Sequence, residues 1–284
     1  MKFSKDNVFN SLQEVLEYYQ YFGYAPTIAQ AQKFLDIKIS KRELNESLKL
    51  LLKSKRLIIS RSRVALSNKI IKKTINRKND AVILLQRVKP LFNFFSFIPT
   101  VRLLGISGSM SMNQSDKNGD IDIFVITHER YLWTTRFILL IFKKILLLVP
   151  SFSSHKLCFN LFFSKSHLTV PKLKQSQYVG HEVLQLKIIF DKDDIYNNFL
   201  RGNIWIKKFF PNVHIISDNL SHNIRLFKKV KEPNFLEKVA KKVQIWWLKR
   251  TGYRYKEYSG QLWLLQEDWE KKIQAAEVAG FEPA

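Results

Sequence analysis

One cysteine, nine glycines and eight prolines stand among 284 residues. A single cysteine excludes a disulfide-stapled scaffold and any zinc site built from paired cysteines. It fits a reducing compartment, so the chain is expected to be cytoplasmic. The glycine and proline counts exclude collagen-like and low-complexity architectures. Acidic residues are scarce too: 24 Asp and Glu face 47 Lys and Arg, a formal charge of +23. Long apolar runs are missing. The most apolar segment, Phe137–Val149, carries Lys143 and Lys144 at its middle. It is shorter than the roughly 20 residues a helix needs to cross a bilayer. It reads as a buried amphipathic helix, with a membrane-surface helix as the alternative, and no transmembrane segment is expected. Met1–Tyr24 is polar and periodic, so no signal peptide is expected.

Hydrophobic residues make up 46% of the chain, which suits a packed protein and excludes a disordered one. The length suggests about two domains. The positive charge is uneven. Residues 1–100 carry a net +12, residues 101–200 a net +4 and residues 201–284 a net +7. The middle third is the nearest to neutral, and carboxylate chemistry would sit there. Such a charge suggests a polyanionic partner: nucleotide, DNA, RNA or an anionic membrane. The richness in Lys, Asn, Ile and Phe offers a compositional explanation as well, so charge alone does not name the partner.

The first 68 residues read as three helices and a hairpin. Val8, Leu12, Val15, Leu16 and Tyr19 recur at helical spacing. Thr27 can cap a second helix, and Ser40 with Glu43 forms a capping box for a third. Leu57–Ser60 and Arg63–Leu66 read as short strands around a basic turn. This order is that of a winged-helix-like module over residues 1–68. Two uses are open: nucleic-acid binding with Arg61 and Arg63 on the wing, or packing and protein contacts. Residues 69–99 read as a connecting helical segment that Pro99 ends.

The chemistry concentrates further on. Val101–Ile106 reads as a strand, Gly108-Ser109 follows, and Asp120–Thr127 reads as a second strand rich in β-branched residues. Residues two apart on a strand share a face, so Asp120 and Asp122 project together. Two such carboxylates repel unless a cation lies between them. Paired carboxylate oxygens suit Mg²⁺, which takes one or two carboxylates plus substrate phosphates. Gly108 allows close backbone approach, and Ser109 offers a hydroxyl near a helix start, where phosphate binds well. Asp116–Asp120 invites comparison with a calcium loop. The required sixth and twelfth positions hold Ile121 and Thr127, which excludes an EF-hand. An acidic strand without metal is the remaining alternative.

The segment from Leu103 to Thr127 resembles the nucleotidyltransferase motif of the DNA polymerase β superfamily. In that motif a strand leads to Gly-Ser or Gly-Gly, a spacer of about ten residues, then Asp-x-Asp on the next strand. Here ten residues separate Ser109 from Asp120. The resemblance implies a nucleotidyltransferase domain over residues 100–215. It implies that Gly108 and Ser109 hold a nucleoside triphosphate, and that Asp120 and Asp122 bind Mg²⁺ or Mn²⁺. The stretches around Cys158–Phe162, His181–Glu182, Asn203–Ile206 and Pro211–Asn212 are similar to a group of uncharacterised bacterial nucleotidyltransferase-domain proteins. The superfamily usually places a third carboxylate on a later strand. In the strand expected over Lys156–Phe163 the central polar residue is Asn160, which cannot act as a general base. Glu182, expected at the start of a helix running to Phe190, is a candidate substitute. A Glu in a first helical turn also serves simply to complement the helix dipole.

Cys158 reads as a small core residue, and the six histidines show no metal spacing. Residues 216–284 are expected to form a helical C-terminal region. One helix there would bury Phe235, Val239, Val243 and Trp246 and show its lysines to solvent. Lysines near aromatic rings also suit RNA binding. Gln261–Ile273 is expected to be a second helix, followed by a frayed tail. The expected architecture is therefore α/β (α+β). A small mixed sheet of the polymerase β-like kind would lie between a winged-helix-like start and a helical end.

Overall fold

The computed structural model describes residues 5–115, 119–146, 157–215, 233–264, 271–273 and 275. The Asp116–Asn118 part of the supposed calcium loop, residues 147–149, Lys228, Lys229 and Lys231, and the tail from residue 276 lie outside them.

Three helices open the chain: α1 (Lys5–Tyr21), α2 (Ile28–Lys33) and α3 (Lys41–Lys53). Thr27 with Gln30 and Ser40 with Glu43 form full capping boxes at the second and third. Each pair satisfies two backbone donors at a helix start. A hairpin follows, β1 (Ile58–Ser60) and β2 (Arg63–Ala65). Arg61 and Ser62 form its two-residue turn with φ of 49° and 61°. That conformation matches the twist of a tight hairpin.

α4 (Asn68–Ser96) is more than a connection. Its first half packs Ile70 and Ile71 with Ala25 and Ala65, while Leu84, Val88, Leu91 and Phe95 join the core of the next layer. The remaining elements are β3 (Val101–Ile106), α5 (Gly108–Ser111), β4 (Ile121–Thr127), α6 (Leu132–Leu146), β5 (Leu157–Ser164), α7 (Gln177–Gln185), β6 (Lys187–Asp191), α8 (Ile195–Gly202), α9 (Phe235–Arg250), β7 (Tyr255–Tyr258) and β8 (Gln261–Leu264). The fold is thus mixed α/β with a small mixed sheet.

Six strands run in the order β6-β3-β4-β5-β8-β7. Among the described strands only β4 and β5 pair in parallel, and α6 makes the crossover that parallel pairing needs. The pleat divides the core in two. Leu103, Phe124, Ile126, Phe163 and Trp263 share a core with α1–α3, α7 and α8. Leu104, Ile106, Ile123, Val125 and Phe162 share the other with α4 and α6. Asp120 and Asp122 have the same parity as Phe124, so their side chains belong to the face that the N-terminal helices cover.

Those helices are locked in place. Asn212 accepts from the Ile39 amide at 2.9 Å and donates to the Ile37 carbonyl at 2.7 Å. Lys33 donates to the Leu184 carbonyl, and Gln185 donates to the Tyr19 hydroxyl. The His181 ring, fully buried, stacks between Tyr18 and Phe34 with centroids 4.1 Å away on each side. Burial, reinforced by the nearby Lys33 charge, holds its pKa well below the usual histidine value, so it is neutral.

Four expectations are corrected. Residues 216–284 are not purely helical, because β7 and β8 extend the sheet beside β5. The region expected to be helical from Gln261 starts as a strand, since Ser259-Gly260 is a two-residue hairpin turn with Gly260 at φ +64°. All four residues of β8 are buried, which an amphipathic helix would not allow. α6 is only partly buried: Phe137 and Ile145 are exposed. α9, finally, is turned over. Phe235, Val239, Val243 and Trp246 face solvent, while Glu237, Gln244 and Leu248 face inward.

The inversion has a local cause. The start of α6 has free backbone donors. Glu237 accepts from the amides of Trp133 (2.7 Å) and Thr134 (2.9 Å) and from the Thr134 hydroxyl (2.7 Å). Gln244 accepts from buried Arg136 and donates to the Trp133 carbonyl. Glu237→Ala strands three donors and should destabilise the protein by about 2–4 kcal/mol. Chemical denaturation measures this, and Glu237→Gln should recover part of the loss.

Candidate functional site

β3 ends at Ile106, and the chain turns back across β4. The Ser107 amide donates to the Asp122 carbonyl at 2.9 Å. Gly108 follows with φ +62°, and a Cβ there would lie 2.6 Å from an Asp122 carboxylate oxygen. The turn is therefore pressed against Asp122, which only glycine permits. On the other side β5 has a bulge between the partners of Ile123 and Phe124. Asn160 lies in it and donates its amide to Asp122. The Cys158 thiol donates to Asp120 at 3.7 Å, so this cysteine edges the site as well.

Glu182 reaches the site from α7. Its carboxylate accepts from the Gly108 amide at 3.1 Å. The helix, capped by Ser176, runs over Gln177–Gln185, so Glu182 lies well past the first turn, and the expected helix to Phe190 is corrected. Residues 187–191 pair with β3 instead, as Lys-Ile-Ile-Phe-Asp suits a strand. Its placement removes the dipole reading of Glu182.

These groups open on one cavity of about 600 Å³. Gly108, Ser109, Asp120, Asp122, Asn160 and Glu182 line one part of it. Tyr18 of α1, Phe22 in the turn just after it, Tyr178, Leu161 and Trp263 line the rest. Lys174, itself buried, adds a cation to the wall 6.0 Å from the Trp263 ring. Beside the turn, Lys187 donates to Asn113 at 2.7 Å.

The electrostatics are those of acids held together. Burial, with the charge of Asp120 adding to it, pushes Asp122 up to about 6 against the pull of the Asn160 hydrogen bond. Burial pushes Glu182 up to about 7; the Gly108 amide opposes this and the Asp122 charge adds to it. Among the described residues no group of three or more His, Cys, Asp or Glu is placed to hold a metal. The pair Asp120 and Asp122 would need further donors from a ligand.

Arg61 and Arg63 do not line this cavity. Arg63 donates to the Ala25 carbonyl and lies over the Tyr24 ring, so it ties the hairpin to the helices. Arg61 is exposed at the turn tip. Sequence reasoning missed Lys174, Tyr18, Phe22 and Trp263. Tyr18 and Phe22, one helical turn apart, look like core residues in sequence. Trp263 was hidden by the helical reading, although Ser259-Gly260 between aromatic runs is a hairpin signal.

Comparisons of the chain with protein-family models, with curated proteins and with solved structures find no match.

Proposed function

We propose that this chain is a nucleotidyltransferase of the polymerase β kind. It would transfer a nucleoside monophosphate from an NTP to a hydroxyl acceptor with Mg²⁺. The observation that carries the reading is the pair Asp120 and Asp122, held beside the Gly108-Ser109 turn at one cavity. The donor set suits the metal. Two neighbouring half-buried carboxylates, one with its pKa raised to about 6 by burial and by the charge of the other, form a pair that a divalent cation relieves.

Mg²⁺ would polarise the α-phosphoryl group and offset charge on the leaving pyrophosphate. The residues of the chain do the rest. Asp120 and Asp122 supply the ligands, and Asn160 fixes the orientation of Asp122. Lys174 places positive charge on the cavity wall. Glu182 is the one further carboxyl lining the cavity among the described residues. It takes the proton of the acceptor hydroxyl as that oxygen bonds to the α-phosphorus and the bond to the β-phosphate oxygen breaks. A base with a pKa near 7 suits that task at neutral pH. Tyr18 and Phe22 wall the cavity and limit water.

The test is transfer of label from NTPs in a cell extract. Asp120→Ala/Asp122→Ala should lower the rate at least about 100-fold, the loss of several kcal/mol of charge stabilisation. Equal transfer by wild type and variant would sink the reading.

A second reading has its own support. Asn160 stands where the superfamily's third acid is expected, and Glu182 occupies the Gly108 amide that a phosphate would need. On this reading the chain is a catalytically degenerate nucleotidyltransferase-fold protein. Its winged-helix-like start, with Arg61 at the turn, would contact DNA or RNA, or serve regulation. Nucleotide binding without label transfer is its signature.

A further inference from the structure

The inverted helix α9 leaves an apolar surface that needs an occupant. Phe235, Val239, Val243 and Trp246 recur at intervals of four, four and three, which puts them on one stripe at about 100° per residue. All four are exposed, at 77%, 41%, 51% and 60%. Lys238, Lys242 and Lys249 run along one edge of the stripe, all exposed. Arg250 lies over the Trp246 ring at 5.4 Å. The helix has one carboxyl, Glu237, and it is buried beneath α6. The outer face of α9 therefore carries cations and apolar groups with no acid among them.

We propose that this face seats α9 on an anionic lipid surface. Apolar side chains with a Trp, bordered by lysines, are the composition of helices that lie in the headgroup region. The lysines and arginine complement acidic headgroups, while the stripe enters the acyl boundary. Charge alone would also admit a nucleic acid. Val239 and Val243 decide against it, because aliphatic side chains offer no face on which a base can stack. The face is held outward by the buried Glu237 and Gln244 contacts rather than by the helix's own preference. It is thus displayed in the folded protein without any rearrangement.

The experiment is flotation of the full chain with vesicles of three parts phosphatidylcholine to one part phosphatidylglycerol, beside vesicles of phosphatidylcholine alone. The wild type should float with the mixed vesicles and not with the neutral ones. Two variants keep the inward contacts. Lys238→Glu/Lys242→Glu should weaken binding by about 25-fold or more, at about fivefold per lysine near an anionic surface. Val243→Ser/Trp246→Ser keeps every charge and should also lose flotation, while its melting temperature stays at the wild-type value. Absence of flotation by the wild type would overturn the proposal. So would flotation that the serine variant retains in full, since the surface would then bind polyanions in general. Equal competition by an RNA homopolymer against wild type and serine variant would point to that outcome directly.

Discussion

Asp122→Asn should abolish label transfer and yet raise the stability of the metal-free protein. The transfer loss follows from removing one of two proposed metal ligands. The stability gain follows from what the fold imposes on this acid. Its carboxyl titrates near 6 in the folded chain, against an ordinary value of 3.8. The folded state thus holds the proton more tightly than the unfolded state. The associated stability is fully present below pH 3.8 and is lost as the pH rises through about 6. At neutral pH the ionised group therefore costs up to about 3 kcal/mol, and half-burial makes about 1–2 kcal/mol the realistic range. Asparagine carries no charge and can still accept from Asn160. Its melting temperature should exceed that of wild type by a few degrees at pH 7.5, and the difference should close near pH 4. Mg²⁺ with NTP should stabilise wild type but not the variant. A variant less stable than wild type at pH 7.5 would contradict this account of the site.

Gly108→Ala should cost both folding and function. The residue sits at φ +62°, where a side chain is strained by about 1–2 kcal/mol. The added Cβ would also meet Asp122 at 2.6 Å, well inside contact distance. The carboxylate must move, and Asn160 must move with it or lose its bond. A destabilisation of about 2–4 kcal/mol is expected, with transfer lost even where the protein stays folded. Gly252 is the control. It also has positive φ, at +66°, but nothing lies within 4 Å of its would-be Cβ. Gly252→Ala should therefore show the backbone strain alone, with activity kept. Equal losses at the two glycines would mean that the contact with Asp122 is unimportant.

The legible part of this molecule was local. Thr27 and Ser40 announced their helices because a cap needs only the three residues after it. Asp120 and Asp122 announced a shared face because the strand period is two. Gly108 announced a close approach, and the approach is to Asp122. The hidden part depends on partners distant in sequence. The α9 face could not be read from its own periodicity, because the inward side is chosen by amides of Trp133 and Thr134 about a hundred positions earlier. Lys174 and Tyr18 reach the cavity only through the docking of α7 and α1, to which no local pattern points. Glu182 stands out in the sequence only as an acid at an expected helix start. Its contact with Gly108 spans 74 positions of chain, and the start of its helix was misplaced because Ser176 was not read as a cap. The opening scarcity of acids also takes on a place. Among the described residues, three carboxyl side chains gather at one cavity, in a chain otherwise dominated by lysine and arginine.

The central claim is that Asp120 and Asp122 together bind a divalent cation with a nucleotide. Crystals grown with Mn²⁺ and a non-hydrolysable NTP analogue test it most directly, through the anomalous signal of manganese. The account predicts a peak in contact with both carboxylates and with phosphate oxygens of the analogue. A bound analogue with no peak at the pair, or a peak elsewhere on the protein, would contradict it.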